Sequence, residues 1–249
     1  MAPDAPYYRD DLALVHHLGF GFHADATAPG ILAVLEPVRE RNGIVLELGC
    51  GSGLLTRYLV DAGHRVIATD ASPAMLELAR QTAPGAEVRQ LILPDDPLPE
   101  ADAVVSIGHV LSYLDDEDEI DRALAAAADA LRPEGVLAID LEDLRWGELR
   151  GHAPASGRVG DDWAIVLEYE YPAPNRFARK MACFVRNDDG SWRRDDERHA
   201  NTLIDTSTVP ALLARHGVDA EVRTSFGSET NPDGLAVIVG RKVRPGPAA

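Results

Sequence analysis

The chain has 249 residues, 45% of them hydrophobic and 26% charged, and its 41 acidic and 24 basic side chains give a formal net charge of -17. That apolar content is enough for a globular domain with a buried core and excludes an intrinsically disordered chain. A surface this acidic repels phosphate backbones and anionic lipid headgroups, so nucleic acid and membrane are disfavoured as partners.

The cysteines and the N-terminal segment indicate the compartment. Cys50 and Cys183 are far apart, and no CxxC or His/Cys ligand spacing occurs, so we expect neither a disulfide scaffold nor a bound metal. The segment MAPDAPYYRDDLALVHH lacks a basic region followed by an apolar core, and no apolar run reaches membrane-spanning length. We therefore predict a cytoplasmic protein.

From residue 44 onwards, apolar β-rich runs alternate with amphipathic helical runs. The predicted elements are the strand IVLEL, a helix ended by Gly63, the strand RVIATD, a helix capped by Ser72, the strands AEVRQLIL and DAVVSI, the helix DEIDRALAAAADAL and the strand VLAIDLE. Strands separated by helices predict an α/β fold of the Rossmann-like, doubly wound type, with a mostly parallel seven-stranded sheet.

The pattern changes after Leu141. The runs WAIVLEYEY, RKMACFVRN and SWRRDDERHANTLI are typical of antiparallel strands with no long helix between them. The helix STVPALLARHG and the strands AEVRTSF and LAVIVGRKV then complete the sheet. We predict an N-terminal helical lid over 1–43, an α/β core over 44–142 and 204–244, and an antiparallel β insertion over 143–203.

A glycine-rich loop follows the first core strand in VLELGCGSG, with Gly49, Gly51 and Gly53 leading into a helix. Glycines at this position let the backbone lie against a ligand, although they also permit a tight turn without one. Asp70 ends the next strand, where a carboxylate accepts both hydroxyls of a ribose, and its alternative role as a helix cap suits Ser72 better. Together these features predict a cofactor of the adenosine type.

The loop reads G-x-G-x-G, which departs from the dinucleotide fingerprint G-x-G-x-x-G, and no GK[ST] follows it as in a P-loop. The segments LELGCGSG, VIATDASPAML, DAVVSIGHVLSYL and ALRPEGVLAID resemble the successive motifs of class I S-adenosylmethionine-dependent methyltransferases, and the resemblance covers nearly the whole chain. It implies S-adenosyl-L-methionine as cofactor and S-adenosyl-L-homocysteine as product. The cofactor-binding residues that it implies are Tyr8, Glu47, Gly49, Cys50, Gly51, Gly53, Asp70, Ala71, Met75, Ile92, Leu93, Ser106 and Ile107.

One segment departs from the family pattern. Where relatives often carry GDM after the third strand, with the Asp on the adenine amino group, this chain has LIL at 91–93. We expect backbone groups, Asp95 or Asp96 to replace that contact.

The β insertion, DERHANTL and GLAVIVGRK are similar to bacterial sugar N-methyltransferases that dimethylate amino-sugars. This resemblance implies that the insertion roofs the acceptor pocket or mediates a dimer contact, and that the acceptor is a small molecule such as an amine or amino-sugar. The insertion offers Trp163, Tyr169, Tyr171 and Trp192, either as pocket lining or as core and dimer contacts.

Two histidines are candidate catalytic bases. His109 lies just past the fourth strand, and its alternative role is to bond the loop or the cofactor. His199 matches a pocket-facing histidine of the sugar-modifying relatives, and its alternative is a structural histidine within a strand. The resemblance also brings Tyr8 to the cofactor carboxylate and turns His23 towards the site.

The predicted function is methyl transfer from S-adenosylmethionine to nitrogen or oxygen of a small-molecule acceptor. A nicotinamide-dependent oxidoreductase is the alternative enzyme, disfavoured by the glycine spacing and by the lack of a Tyr-x-x-x-Lys pair. A cofactor-binding protein that retains the fold without catalysis is the third alternative.

Overall fold

The structure is a computed structural model that describes residues 7–244. It contains two β-sheets. In chain order the helices and strands are α1 (Asp10–Gly19), α2 (Phe22–Glu40), β1 (Ile44–Leu48), α3 (Leu54–Asp61), β2 (Arg65–Asp70), α4 (Pro73–Thr82), β3 (Glu87–Gln90), β4 (Ala101–Ser106), α5 (Glu117–Ala130), β5 (Leu131–Glu142), α6 (Leu144–Arg150), β6 (Ser156–Val159), β7 (Trp163–Ala173), β8 (Arg176–Arg186), β9 (Trp192–Thr202), α7 (Val209–Arg215), β10 (Val218–Arg223) and β11 (Leu235–Lys242).

The larger sheet has seven strands in the order β10-β11-β5-β4-β1-β2-β3. The strands from β5 to β3 pair in parallel, and β11 runs antiparallel to both β5 and β10. Adjacent residues of β1 point to opposite faces, so Leu46 packs with α5 and α7 while Val45 packs with α2, α3 and α4. Burial on both faces explains why these strands are apolar throughout, and the predicted doubly wound α/β fold is confirmed.

The two N-terminal helices pack against different sheets. Ile31, Leu35 and Val38 of α2 are buried in the core on one face of the larger sheet. Leu12 and Val15 of α1 pack instead against apolar side chains of β7 and β8. Within residues 7–244 no single helix is long and apolar enough to cross a membrane, and α1 and α2 pass that test only as a pair bent by 66°.

The β insertion forms a separate antiparallel sheet in the order β6-β7-β8-β9. The three long strands were predicted, whereas β6 and the helix α6 were not. The four residues of β6 are all exposed, so no apolar alternation marks it. The helix α6 begins at an Asp143 side chain that accepts the Arg145 backbone N–H, and its seven residues are too few to display a helical period.

The third core strand is shorter than AEVRQLIL predicts, because β3 ends at Gln90. The Asp96 carboxylate accepts the Ile92 backbone N–H at 2.8 Å, and the Asp96 N–H donates to the Ile92 carbonyl at 2.9 Å. These two bonds close a turn and take the backbone of Ile92 away from β2. Ile92 and Leu93 therefore lie in a loop at the edge of the sheet.

Candidate functional site

Two cavities meet at the carboxyl ends of the parallel strands, where ligands bind in open α/β sheets. The larger cavity, of about 560 Å³, extends over the ends of β2 and β3. The smaller cavity, of about 340 Å³, extends under β7 and β8 of the insertion. Six residues line both cavities: Tyr8, His16, Gly49, Gly51, Ile107 and Gly108.

Two positions of the loop after β1, Gly49 and Gly51, require glycine for different structural reasons. A Cβ on Gly49 would lie 2.3 Å from a methyl carbon of Val110, so close packing of the loop excludes any side chain there. Gly51 has φ of +52°, and a Cβ there would meet only the Met75 sulfur, at 3.9 Å. The backbone of Gly51 therefore faces open space between the two cavities.

Asp70 connects the glycine loop to the start of α4. Its Oδ2 accepts the Gly51 N–H at 2.9 Å and its Oδ1 accepts the Ser72 N–H at 2.8 Å. Burial raises the pKa of Asp70, although these backbone bonds act in the opposite direction. Each carboxylate oxygen retains further acceptor capacity, and Asp70 lines the larger cavity. The capping role belongs to Ser72, whose Oγ accepts the Met75 N–H at 3.2 Å.

The structure brings most of the predicted cofactor-binding residues to the larger cavity. The residues of that set that line it are Tyr8, Gly49, Gly51, Asp70, Ala71, Met75, Ile92, Leu93 and Ile107. Asp95 and Asp96 line neither cavity, because Asp95 lies 3.5 Å from Arg122 and Asp96 holds the loop described above. Gln90 is a polar side chain of this wall that the sequence analysis did not select, and its Nε2 donates to the Ala71 carbonyl at 2.9 Å.

The other predicted cofactor-binding residues occupy different positions. Glu47 and Cys50 line the smaller cavity, and burial raises the pKa of the Glu47 carboxyl, which accepts the Thr56 hydroxyl at 2.7 Å, to about 8. Gly53 and Ser106 line neither cavity. A Cβ on Gly53 would lie 3.0 Å from the backbone of α4, and the Ser106 Oγ donates to the Leu48 carbonyl at 3.0 Å, joining β4 to β1.

His109 lies in the wall of the smaller cavity. Its backbone has φ of +50°, and its N–H donates to Asp140 Oδ1 at 2.6 Å. Its Nδ1 is 3.6 Å from Glu142 Oε1 and has no hydrogen-bond partner within residues 7–244. Burial, assisted by the nearby Arg179, lowers the pKa of His109 well below its ordinary value, so the imidazole is neutral at pH 7.

Asp140 orients this part of the wall. Besides His109, it accepts the Gly108 N–H at 3.0 Å and lies 3.2 Å from His23 Nε2. Burial lowers the pKa of His23, but the bond to Asp140 outweighs it, and the net shift is upward. His23 lines the smaller cavity as well, so α2 and β5 together position two imidazoles beside the glycine loop.

His199 has a different environment from His109. It is fully buried in β9, lines neither cavity, and its Nε2 lies 2.9 Å from Glu197 Oε2. Glu197 also accepts the backbone N–H groups of Tyr8 and Arg9, each at 2.8 Å. This pair of side chains therefore fastens the N-terminal segment to the insertion, directly beside the place where Tyr8 reaches both cavities.

Arg179 and Tyr113 are two site residues that no sequence pattern predicts. The Arg179 Nη2 donates to the Tyr113 hydroxyl at 2.6 Å, and Arg179 lines the smaller cavity. Strand β8 reads RFARKMACFVR, in which Arg179 is one of several cations, so no pattern distinguishes it. Among the four aromatic residues singled out in the insertion, only Tyr169 lines a described cavity.

Comparisons with known proteins find similar sequences and structures. Residues 45–135 match the family described as "Methyltransferase domain". A putative methyltransferase of Geobacillus sp. strain WCH70 is 24% identical over 192 residues, which cover 74% of this chain and 78% of that protein.

Two solved structures are similar over almost their full length. An S-adenosylmethionine-dependent methyltransferase from Clostridium acetobutylicum has a TM-score of 0.74 at 17% identity, covering 93% of this chain and 97% of that one. The sugar N-methyltransferase KedS8 from Streptoalloteichus sp. has a TM-score of 0.77 at 23% identity, covering 98% and 99%. The predicted resemblance to the S-adenosylmethionine-dependent methyltransferases is confirmed at the level of the fold. The chain therefore has the fold of these methyltransferases, and its residues 45–135 match the methyltransferase-domain family.

Proposed function

We propose that this protein transfers a methyl group from S-adenosylmethionine to a nitrogen or oxygen atom of a small-molecule acceptor. The observation that carries the proposal is the junction of the two cavities at Gly49, Gly51, Ile107 and Gly108. A donor in the larger cavity and an acceptor in the smaller one meet there, which is what a direct transfer between two bound molecules requires.

The larger cavity has the chemistry that an adenosine needs. Asp70 offers carboxylate oxygens to the two ribose hydroxyls, and Met75, Ile92 and Leu93 supply apolar surface for a purine ring. With Asp95 and Asp96 engaged elsewhere, Gln90 and backbone groups are the polar groups that we assign to the adenine edge.

The sulfonium of S-adenosylmethionine supplies an already activated methyl group, so the protein contributes alignment and the exclusion of water. The insertion sheet and α1 cover the smaller cavity with apolar side chains, including Leu12, Leu167 and Phe177. Glu197 and His199 hold the N-terminal segment against this cover. We assign the segment to a lid and the insertion to a roof over the acceptor.

His109 is the residue that we assign as general base for an acceptor that arrives as a hydroxyl. Its ring lines the cavity and its Nδ1 has no partner within residues 7–244, so this nitrogen is open to the acceptor, while burial lowers the pKa of His109 and keeps the ring neutral before the reaction. His199 is bonded to Glu197 and lies outside the cavity, so we assign it a positioning role.

Methyl transfer is tested with methyl-labelled S-adenosylmethionine and a panel of amines, phenols, amino-sugars and carboxylic acids, with product masses recorded. We expect a methylated product with at least one class and release of S-adenosylhomocysteine. The Asp70→Ala variant should lose this transfer at low cofactor concentration, whereas Asp95→Ala, an exposed carboxylate outside both cavities, should retain it. Equal transfer by Asp70→Ala and wild type would contradict the assignment of the larger cavity.

A further inference from the structure

Arg179 is a cation that has no anionic partner among the residues that the structure describes. Its Nη2 donates to the Tyr113 hydroxyl at 2.6 Å and lies 3.5 Å from the amide oxygen of Asn201, both uncharged groups. Its Nε is buried and has no hydrogen-bond partner within residues 7–244, and no carboxylate of that range lies within 4.0 Å of its guanidinium.

Neighbouring arginines of the same region are paired. Arg9, Arg193 and Arg198 lie 2.6, 2.6 and 3.0 Å from the carboxylates of Asp195, Asp11 and Glu170. These pairs are on the outer side of the insertion or at its edge, where water also solvates the charges. Arg179 faces the smaller cavity instead, and a guanidinium turned into an apolar cavity is costly unless an anion joins it.

The titratable groups around Arg179 do not supply that anion. Burial raises the pKa of Glu142 to about 8 even though Arg179 acts in the opposite direction, so this carboxyl is protonated at pH 7. Burial lowers the pKa of His16 to about 3 and that of His109 well below its ordinary value, which makes both neutral. The hydroxyls of Tyr8 and Tyr113 have raised pKa values because of burial, and they are neutral too.

The other groups that line the smaller cavity do not supply a negative charge either. Arg150 also lines it and stacks 4.2 Å above the Trp146 ring, with no ion pair inside the described range. The carboxyl group in the lining is that of Glu47, whose pKa of about 8 keeps it protonated at pH 7. Among residues 7–244, the lining therefore offers an ammonium two guanidinium groups and no ionised carboxylate, although the whole chain carries a net charge of -17.

The apolar side chains of the smaller cavity limit what the uncharged part of the ligand can be. The apolar side chains that line the cavity include Leu12, Phe20, Ile165, Leu167, Phe177 and Met181. A compound with several hydroxyl groups would leave many of them without partners here, whereas a ring or a short hydrocarbon chain fits.

We propose that Arg179 binds a carboxylate of the acceptor, and that the acceptor is a small acid with an apolar or aromatic body. A carboxylate matches the planar guanidinium fork with its two oxygens and satisfies the unpartnered Nε. The inference rests on the proposed function only in taking the smaller cavity as the acceptor site.

The test is calorimetric titration at pH 7 with 3-phenylpropanoate and its neutral amide, 3-phenylpropanamide, which share one skeleton. Wild-type protein should bind the carboxylate about 10- to 100-fold more tightly than the amide, as a charge-assisted hydrogen bond predicts. Arg179→Met should bring the ratio to about one, and Arg179→Lys should retain part of it. Lys180→Met is the matched control, because Lys180 is exposed on the other face of β8 and pairs with Glu170.

Each titration is run with and without S-adenosylhomocysteine, and the affinity for that molecule reports whether each variant is folded. A wild-type protein that prefers the amide or 3-phenylpropylamine, or that binds no carboxylate, would overturn the inference without needing any variant. So would a carboxylate preference that survives in Arg179→Met. Failure to bind S-adenosylhomocysteine would contradict the proposed function instead, while leaving the titrations without it as a test of Arg179.

Discussion

The two cavities are built in different ways. Most of the larger one is formed by short loops that follow β1, β2, β3 and β4, at consecutive strand ends of one sheet. The smaller one adds to the β1 and β4 loops residues from α1, α2, β7 and β8, which are distant in sequence. Loops at strand ends are local, so their chemistry is readable from short motifs, whereas a wall assembled from separate segments has no motif.

The same contrast distinguishes the residues that we assign to cofactor binding from those that we assign to acceptor choice. The larger cavity, which we assign to S-adenosylmethionine, has glycines and an acid that are constrained by backbone geometry. The smaller cavity combines imidazoles of α1, α2 and the loop after β4 with guanidinium groups and apolar side chains of the insertion. We expect substitutions in the first cavity to change cofactor affinity and those in the second to change turnover and acceptor choice.

The largest expected effect belongs to the second cavity. His109→Ala should lower kcat about 10²- to 10⁴-fold for a hydroxyl acceptor, because it removes the proposed base, while the cofactor Kd changes little. His199→Ala should instead lower the melting temperature, because it breaks the bond to Glu197. Steady-state kinetics and thermal unfolding distinguish the two, with the exposed His152→Ala as control. Unchanged kcat in His109→Ala would remove this residue from the mechanism.

The matching change in the larger cavity is Asp70→Ala. Two charge-assisted hydrogen bonds to ribose hydroxyls, each about 1.5–3 kcal/mol, predict a loss of about 100-fold or more in S-adenosylmethionine affinity. Asp95→Ala should leave the affinity within about twofold, since its carboxylate lies outside both cavities. Calorimetry measures both variants, and a similar Kd for the two would mean that Asp70 serves only to hold the loop.

The two glycines of the loop offer a comparison within one segment. Gly49→Ala should lower the free energy of unfolding by about 2–5 kcal/mol, because the new Cβ meets Val110 at 2.3 Å and φ is positive. Gly51→Ala should cost about 1–2 kcal/mol, because only the backbone is strained. Urea unfolding of both variants checks the order, and a larger loss for Gly51→Ala would contradict the packing argument.

The smallest expected effect concerns Glu142, whose folded-state pKa of about 8 lies above the ordinary 4.5. The folded protein then holds a proton that the unfolded chain releases, so this group's contribution is fully present below pH 4.5 and is lost as the pH rises to about 8. Glu142→Gln should therefore gain stability relative to wild type on going from pH 5 to pH 8, by about 1 kcal/mol or more. Thermal unfolding at both pH values measures it, with the exposed Glu148→Gln as control. A pH-independent difference would contradict a protonated Glu142.

Most of the fold followed from the sequence because burial on both faces of β1, β2 and β4 leaves continuous apolar runs. The third strand was predicted too long, since the apolar run at 91–93 looks like strand but belongs to a loop that Asp96 closes. Exposed β6 and the seven-residue α6 carry too little periodicity to be found.

Some residues of the candidate site were likewise predictable from the sequence and others were not. Asp70 and Gly51 were predictable because their spacing is fixed by one strand, one turn and one helix. Ser106 and Gly53 have the right positions in the motifs, but they hold strands and helices together. Arg179 was not predictable, because what distinguishes it is the absence of a carboxylate around it in the described structure, which depends on packing between β8, α1 and β5.

Calorimetric titration of the wild-type protein with S-adenosylmethionine, S-adenosylhomocysteine and NAD tests the proposed methyl donor. We expect one-to-one binding of the first two and no comparable binding of NAD, because the G-x-G-x-G loop beside Asp70 departs from the dinucleotide fingerprint. Tight binding of NAD with no response to the other two would contradict this expectation.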